Sequence, residues 1–213
     1  MKIERVSCFI DGFNLYHAID DLGQDHLKWL NLWSLMQRYA SRPNQSLTAV
    51  YYFSAYATWL PYAYKRHREY VRALQAAGVT AVMGFFKEKD RQCKRCGTQW
   101  IAHEEKETDV SIGICMINEA YKDTFDHAFL VSNDSDLSPV VRMLRREFPA
   151  KRLRLITPPK RRASKELVSE AGGLGYVRTI KISHVRQHLF PERVKDAAGT
   201  GAAIRPPEYE PPS

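Results

Sequence analysis

VSCFIDGFNLYHAI, residues 6–19, opens on a short apolar run, Val6 to Ile10, and turns abruptly polar at Asp11, Gly12 and Asn14. Such a run is the pattern of a β-strand buried on both faces, as in a parallel sheet covered by helices on either side. The chain repeats this strand-then-helix alternation outward from that point. LKWLNLWSLMQRYA (27–40) carries apolar residues at helical spacing, and SLTAVYYFSAY (46–56) is β-branched and aromatic, hence a second strand. After Pro61 a helix runs to Gly78, and VTAVMGFFKE (79–88) reads as a third strand. TDVSIGICMINEAYKD has helical spacing, HAFLVS (127–132) is a fourth strand, and LSPVVRMLRREF is a helix with Pro139 in its first turn. RLRLIT is a fifth strand, SKELVSEAG a short helix closed by Gly172 and Gly173, and YVRTIKI a candidate last strand.

Strands alternating with helices predict an α/β fold with a mostly parallel sheet, interrupted by a polar hairpin-like insert, KDRQCKRCGTQWIAHEEK. The length of 213 residues suits one domain, taken as 1–190 with the insert at 88–104. The segment 193–213 is rich in Pro, Gly and Ala and is expected to be a disordered tail. No run of 18 apolar residues is present, and the N-terminus lacks the apolar core of a signal peptide, so a cytoplasmic location is expected.

In open α/β sheets the site lies beyond the carboxyl ends of the strands. The first strand ends at Asp11, with Asn14 following. The fourth ends in Ser132, Asn133, Asp134, Ser135 and Asp136, and the helix before it opens with Lys106, Glu107, Thr108 and Asp109. A single aspartate in any of these places is explained as a helix cap or a first-turn acid. Three segments delivering carboxylates to one sheet edge are not, because one cap per helix suffices and 129–141 carries a spare. Carboxylates held that close repel, so they take up protons or bind a cation, and hard divalent cations prefer oxygen ligands.

FIDGFNLY (9–16), EEKETDVSIGICMI (104–117) and FLVSNDSDLSPVV (129–141), in that order and spacing, resemble the NYN domain, a branch of the PIN-like metal-dependent nucleases. The resemblance implies a three-layer α/β/α sandwich and hydrolysis of RNA phosphodiester bonds, with Mg²⁺ or Mn²⁺ in an acidic pocket. It carries the family's acids onto Asp11, Asp109, Asp134 and Asp136 as metal ligands. It gives Asn14 the task of orienting water or phosphate, and Lys106 that of neutralising charge. Asp136 either completes the metal site or caps the next helix. Asn133 stands where a glycine is common in the family, and Asn tolerates the positive φ such a turn would ask for. Single-stranded RNA is the substrate implied, with DNA left open. A catalytically silent NYN domain that binds RNA or protein is the alternative. A haloacid dehalogenase-type phosphatase would need an aspartate at position 13, which is Phe13, and a Rossmann protein a glycine-rich turn where only Gly12 stands.

The net charge is +8 with a pI near 9.3, compatible with a polyanionic partner. The stretch 142–162 carries nine of the 32 basic residues. Of these, Arg142, Arg145 and Arg146 on a helix, and Lys160, Arg161 and Arg162 in a loop, are candidates for nucleic-acid contact. Lys65, Arg66 and Arg68 lie among Tyr62, Tyr64 and His67, a mixture that can also stack bases.

Cys8 and Cys115 read as buried apolar residues, whereas Cys93-Lys-Arg-Cys96-Gly97 has the form of one zinc knuckle. A closed zinc site needs four ligands. His103, Glu104 or Asp90 is a candidate third, or a second copy of the chain supplies two more thiolates in a homodimer.

Overall fold

The computed structural model describes residues 2–212. Strand β1 (Glu4–Asp11) is followed by helix α1 (Gly12–Asp20), a 3-10 turn at Asp25–Lys28, and α2 (Leu32–Tyr39). Then come β2 (Gln45–Ala55), α3 (Pro61–Ala76), β3 (Thr80–Gln92), β4 (Gln99–Lys106) and α4 (Thr108–Tyr121). The chain continues through β5 (His127–Val131), α5 (Ser138–Glu147), β6 (Arg152–Thr157), α6 (Lys165–Ala171), β7 (Val177–Thr179) and α7 (Ile182–Gln187). The helix expected over 27–40 is split, because Trp29, Leu30 and Asn31 leave helical geometry and Asn31 caps α2 by accepting from the Ser34 N–H.

Seven strands form one sheet in the order β4-β3-β2-β1-β5-β6-β7. Every neighbouring pair is parallel except β3 with β4, a hairpin that places β4 at the edge. The alternation of side chains along each strand splits the core into two layers. Cys8 and Ile10 of β1 face a cluster built from α1, α2, α3 and α7, while Phe9 faces one built from α4, α5 and α6. The fold is therefore the expected three-layer α/β/α sandwich. Phe9, Phe53, Phe125 and Phe129 are completely enclosed, and each contributes about 1.5–3 kcal/mol by leaving water.

The segment 193–213, expected to be disordered, is not so over its described part. Strands β8 (Arg193–Lys195) and β9 (Gly201–Ile204) pair as a hairpin, and a 3-10 turn follows at Pro207–Tyr209. Val194, Ala203 and Tyr209 are buried in the first core layer, against the outside of α3 and the turn at Asp25–Lys28. The Pro/Gly/Ala composition that suggested disorder instead serves tight turns. Three well-spaced apolar side chains are enough to dock a segment already held by the β8–β9 pairing.

No helix among the described residues is long and apolar enough to cross a membrane.

Candidate functional site

The strand order reverses at β1. From β1 the chain steps to β2 and β3 on one side, and β5 to β7 lie on the other. Loops leaving β1 and β5 therefore part in opposite directions, and a crevice opens between them at the carboxyl edge of the sheet. Asp11, the last residue of β1, is only 4% exposed there. It caps α1, its Oδ1 accepting from the Asn14 N–H at 2.9 Å, while its Oδ2 accepts from the Ser132 hydroxyl at 2.9 Å. Ser132 Oγ in turn accepts the Asp134 N–H at 3.1 Å, and Asn14 Oδ1 accepts the Asn133 N–H at 3.1 Å. The β1 and β5 loops are thus locked to each other through three side chains, those of Asp11, Asn14 and Ser132.

A cleft of about 610 Å³ opens at this point, and Asp11, Asn14, Asp109 and Asp134 all line it. So does Glu105, to which no pattern in the sequence points. Glu105 lies near the end of β4, and its Oε1 is buried without a hydrogen-bond partner. The charges reinforce one another. Burial, with repulsion from Asp109 and Asp134, pushes the Asp11 carboxyl up to about 6, although the Asn14 and Ser132 hydrogen bonds oppose this. Burial, Asp109 and Asp11 push Glu105 up to about 7. Asp109 sits at the mouth with much of its surface open, yet partial enclosure and repulsion from Asp134 and Asp136 raise it as well.

Asp136 takes a different place. It is exposed and does not line the cleft, and its N–H donates to Asp134 Oδ1 at 3.1 Å. Asp134, not Asp136, is the cap of the 3-10 turn at Ser135–Leu137. Asn133 does not adopt a positive φ, so the glycine common at this position is not required for this turn. Positive φ appears instead at Glu107 (75°), where the chain swings from β4 into α4 and aims Asp109.

Lys106 is outside the cleft, its Nζ 3.2 Å from Glu104 Oε2. The candidate nucleic-acid residues divide. Arg142 pairs with Glu170 at 2.8 Å and Arg145 donates to the Glu170 carbonyl at 2.7 Å, so both fasten α5 to α6. Arg146 pairs with Glu147 at 2.6 Å, and Arg161 pairs with Asp21. Lys160 and Arg162 are exposed and form no ion pair among the described residues, as do Lys65 and Arg68 at the start of α3. Arg66, Lys28 and Tyr209 also line the cleft, with Lys28 paired to Asp20 and Asp25 and Arg66 to Glu208.

The cysteine pair lies far from this cleft. His103 lines the cleft and stacks on Trp59 with ring centroids 3.6 Å apart, instead of joining Cys93 and Cys96. Glu104 is occupied by Lys89, Arg91 and Lys106, which hold its carboxyl down to about 2.

The donor set of the cleft fits a hard divalent cation in kind: oxygen ligands, mutual repulsion and one orphaned carboxylate oxygen. It is not gathered around a single point, since no three His, Cys, Asp or Glu side chains among the described residues already enclose an ion.

Residues 5–174 match the family model described as the NYN domain. A comparison with curated proteins found no match. Among solved structures, the crystal structure of a protein of unknown function from Vibrio parahaemolyticus is similar, at 18% identity and a TM-score of 0.55. The alignment covers 88% of this chain and 96% of that one, and at this identity it speaks for the fold alone. With the motifs at residues 9–16, 104–117 and 129–141 all inside the matched span, the chain belongs to the NYN domain family.

Proposed function

We propose that this chain is a metal-dependent ribonuclease that hydrolyses internal phosphodiester bonds of single-stranded RNA in the cytoplasm. Family membership supports the coarser part, since NYN domains belong among the PIN-like nucleases. The observation that carries the finer part is the convergence of Asp11, Glu105, Asp109 and Asp134, from four separate elements or loops, on one cleft. Asp11, Asp109 and Asp134 would hold Mg²⁺ or Mn²⁺, which supplies positive charge for the scissile phosphate and acidifies a water. Ser132 and Asn14 fix the Asp11 carboxylate so that both oxygens stay aimed as acceptors. Glu105 Oε1, unpartnered and with its carboxyl near neutrality, is suited to take the proton from the attacking water. Phe13, Phe86 and His103 give the cleft apolar and stacking walls for an unpaired base.

The test is a cleavage panel of single- and double-stranded RNA and DNA with Mn²⁺ or Mg²⁺, run with wild type, Asp11→Asn and Asp134→Asn. Cleavage of single-stranded RNA by wild type, lost by at least a hundredfold in both variants at unchanged melting temperature, is the expected result. A variant that cuts at the wild-type rate removes the assignment. The open spacing of the acids favours a second reading, a silent RNA- or protein-binding module. RNA binding with no cleavage under any metal would select it.

A further inference from the structure

β3 pairs with β2 only as far as Gly84, whereas its pairing with β4 continues from Phe85↔Lys106 to Gln92↔Gln99. Beyond the sheet body the two strands form a ribbon with one neighbour each, and an isolated two-stranded ribbon is marginal in water. Trp100 and Ile101 near its tip are 50% and 56% exposed, and β4 is an edge strand with a free side. An open edge of this kind leaves a row of N–H and C=O groups that a second strand can pair with.

The tip holds Cys93-Lys94-Arg95-Cys96-Gly97 in a tight, hydrogen-bonded turn. The Cys93 N–H donates to the Thr98 carbonyl at 2.8 Å, the Gly97 N–H donates back to the Cys93 carbonyl at 2.9 Å, and Gly97 turns at a φ of 74°. Cys96 Sγ lies 3.1 Å from the Thr98 hydroxyl, and its thiol is brought down to about 7, first by Thr98 and then by Cys93. Both cysteines are free. Among the described residues no third His, Cys, Asp or Glu, Asp90 included, gathers with Cys93 and Cys96. His103 sits opposite Glu88, five residues before Cys93 and so about 16 Å down the strand, and Glu104 is farther still. Zinc in a structural site takes four ligands in a tetrahedron. An isologous two-fold interface repeats each ligand once, so two tips brought together supply four thiolates.

We propose that Cys93 and Cys96 from two copies of this chain bind one Zn²⁺ between them and join the ribbons into a homodimer. Four thiols lose their protons on binding, leaving a site of charge −2 with Lys94 and Arg95 of each copy beside it. Trp100 and Ile101 then lie along the join. The inference is independent of the nuclease reading.

The full chain, purified in a non-thiol reductant from zinc-supplemented culture, is measured for zinc by mass spectrometry and for mass by light scattering. The expected result is half an equivalent of zinc per chain and the mass of two chains. A strong zinc chelator should halve the mass and added Zn²⁺ restore it. Cys93→Ser with Cys96→Ser should lose zinc and dimer together at an unchanged circular dichroism spectrum, since both side chains lie outside the core. One zinc per monomer, no zinc, a dimer that survives chelation, or a double variant that keeps the wild-type mass would each overturn the proposal.

Discussion

At Gly12, an added Cβ would stand 2.4 Å from the Phe53 carbonyl oxygen and 2.6 Å from the Tyr52 ring. Backbone cannot yield there without moving Asp11, so Gly12→Ala should cost about 1–3 kcal/mol, read as a lower denaturation midpoint, and should weaken metal-dependent cleavage as well. His67 offers a pH-dependent readout at the same scale. Its Nε2 lies 3.2 Å from the Tyr52 hydroxyl, and burial holds its pKa down to about 4. Unfolded, it titrates near about 6.5. Between those values the unfolded chain binds the extra proton, so the stability due to His67 is complete above about pH 6.5 and is lost as pH falls toward 4. Asp11 and Glu105, raised in the fold, act with the opposite sign over much of the same range. The comparison of wild type with His67→Asn isolates the effect: the variant's melting temperature should fall less steeply from pH 6.5 to 4.5. Asp11, Asp109 and Asp134 were legible in the sequence because each directly follows a strand or opens a helix, where topology fixes its address. Glu105 was not, because the direction of a side chain on β4 depends on its register with β3, which no local pattern states.

Elements show where composition misleads. The Pro, Gly and Ala content of the β8–β9 segment suggests disorder, yet the segment brings Tyr209 to 8% exposure in the core. Tyr209→Ala should destabilise by about 2–4 kcal/mol, as truncation of a large buried ring does. Glu208→Ala, one residue away, removes only an exposed ion pair with Arg66 at 3.1 Å and should leave the melting temperature almost unchanged. Thermal unfolding of the two variants side by side tests whether the segment is held by packing or by charge. The parallel strands, by contrast, were plain in the sequence, because a strand buried on both faces has nowhere to place a polar residue before its end.

Across the whole molecule, the +8 net charge is less available than the count suggests. Arg142, Arg145, Arg146 and Arg161 are engaged within the fold, whereas Lys160 and Arg162 flank one side of the carboxyl edge and Lys65 and Arg68 the other. Single-stranded RNA affinity should therefore fall steeply with salt, and the slope should flatten on Lys160→Ala with Arg162→Ala but hardly change on Arg142→Ala. Charge runs read from sequence locate the basic surface; which members are free depends on acids brought in from elsewhere, such as Asp21 and Glu170.

β1 lies at the centre of the sheet, paired on both sides, while β4 is paired on one side only. The acids of the cleft are thus mounted on two supports of unequal firmness: Asp11 and Ser132 on the interior strands, Glu105 and Asp109 at the root of the ribbon. Amide hydrogen exchange should divide the site accordingly, with protons along β1 and β5 retained longest and those of β4 exchanging early. A divalent cation spanning the two halves would slow the early set far more than the late one, so that exchange, recorded with and without Mn²⁺, reports the closing of the acidic ring independently of any cut RNA.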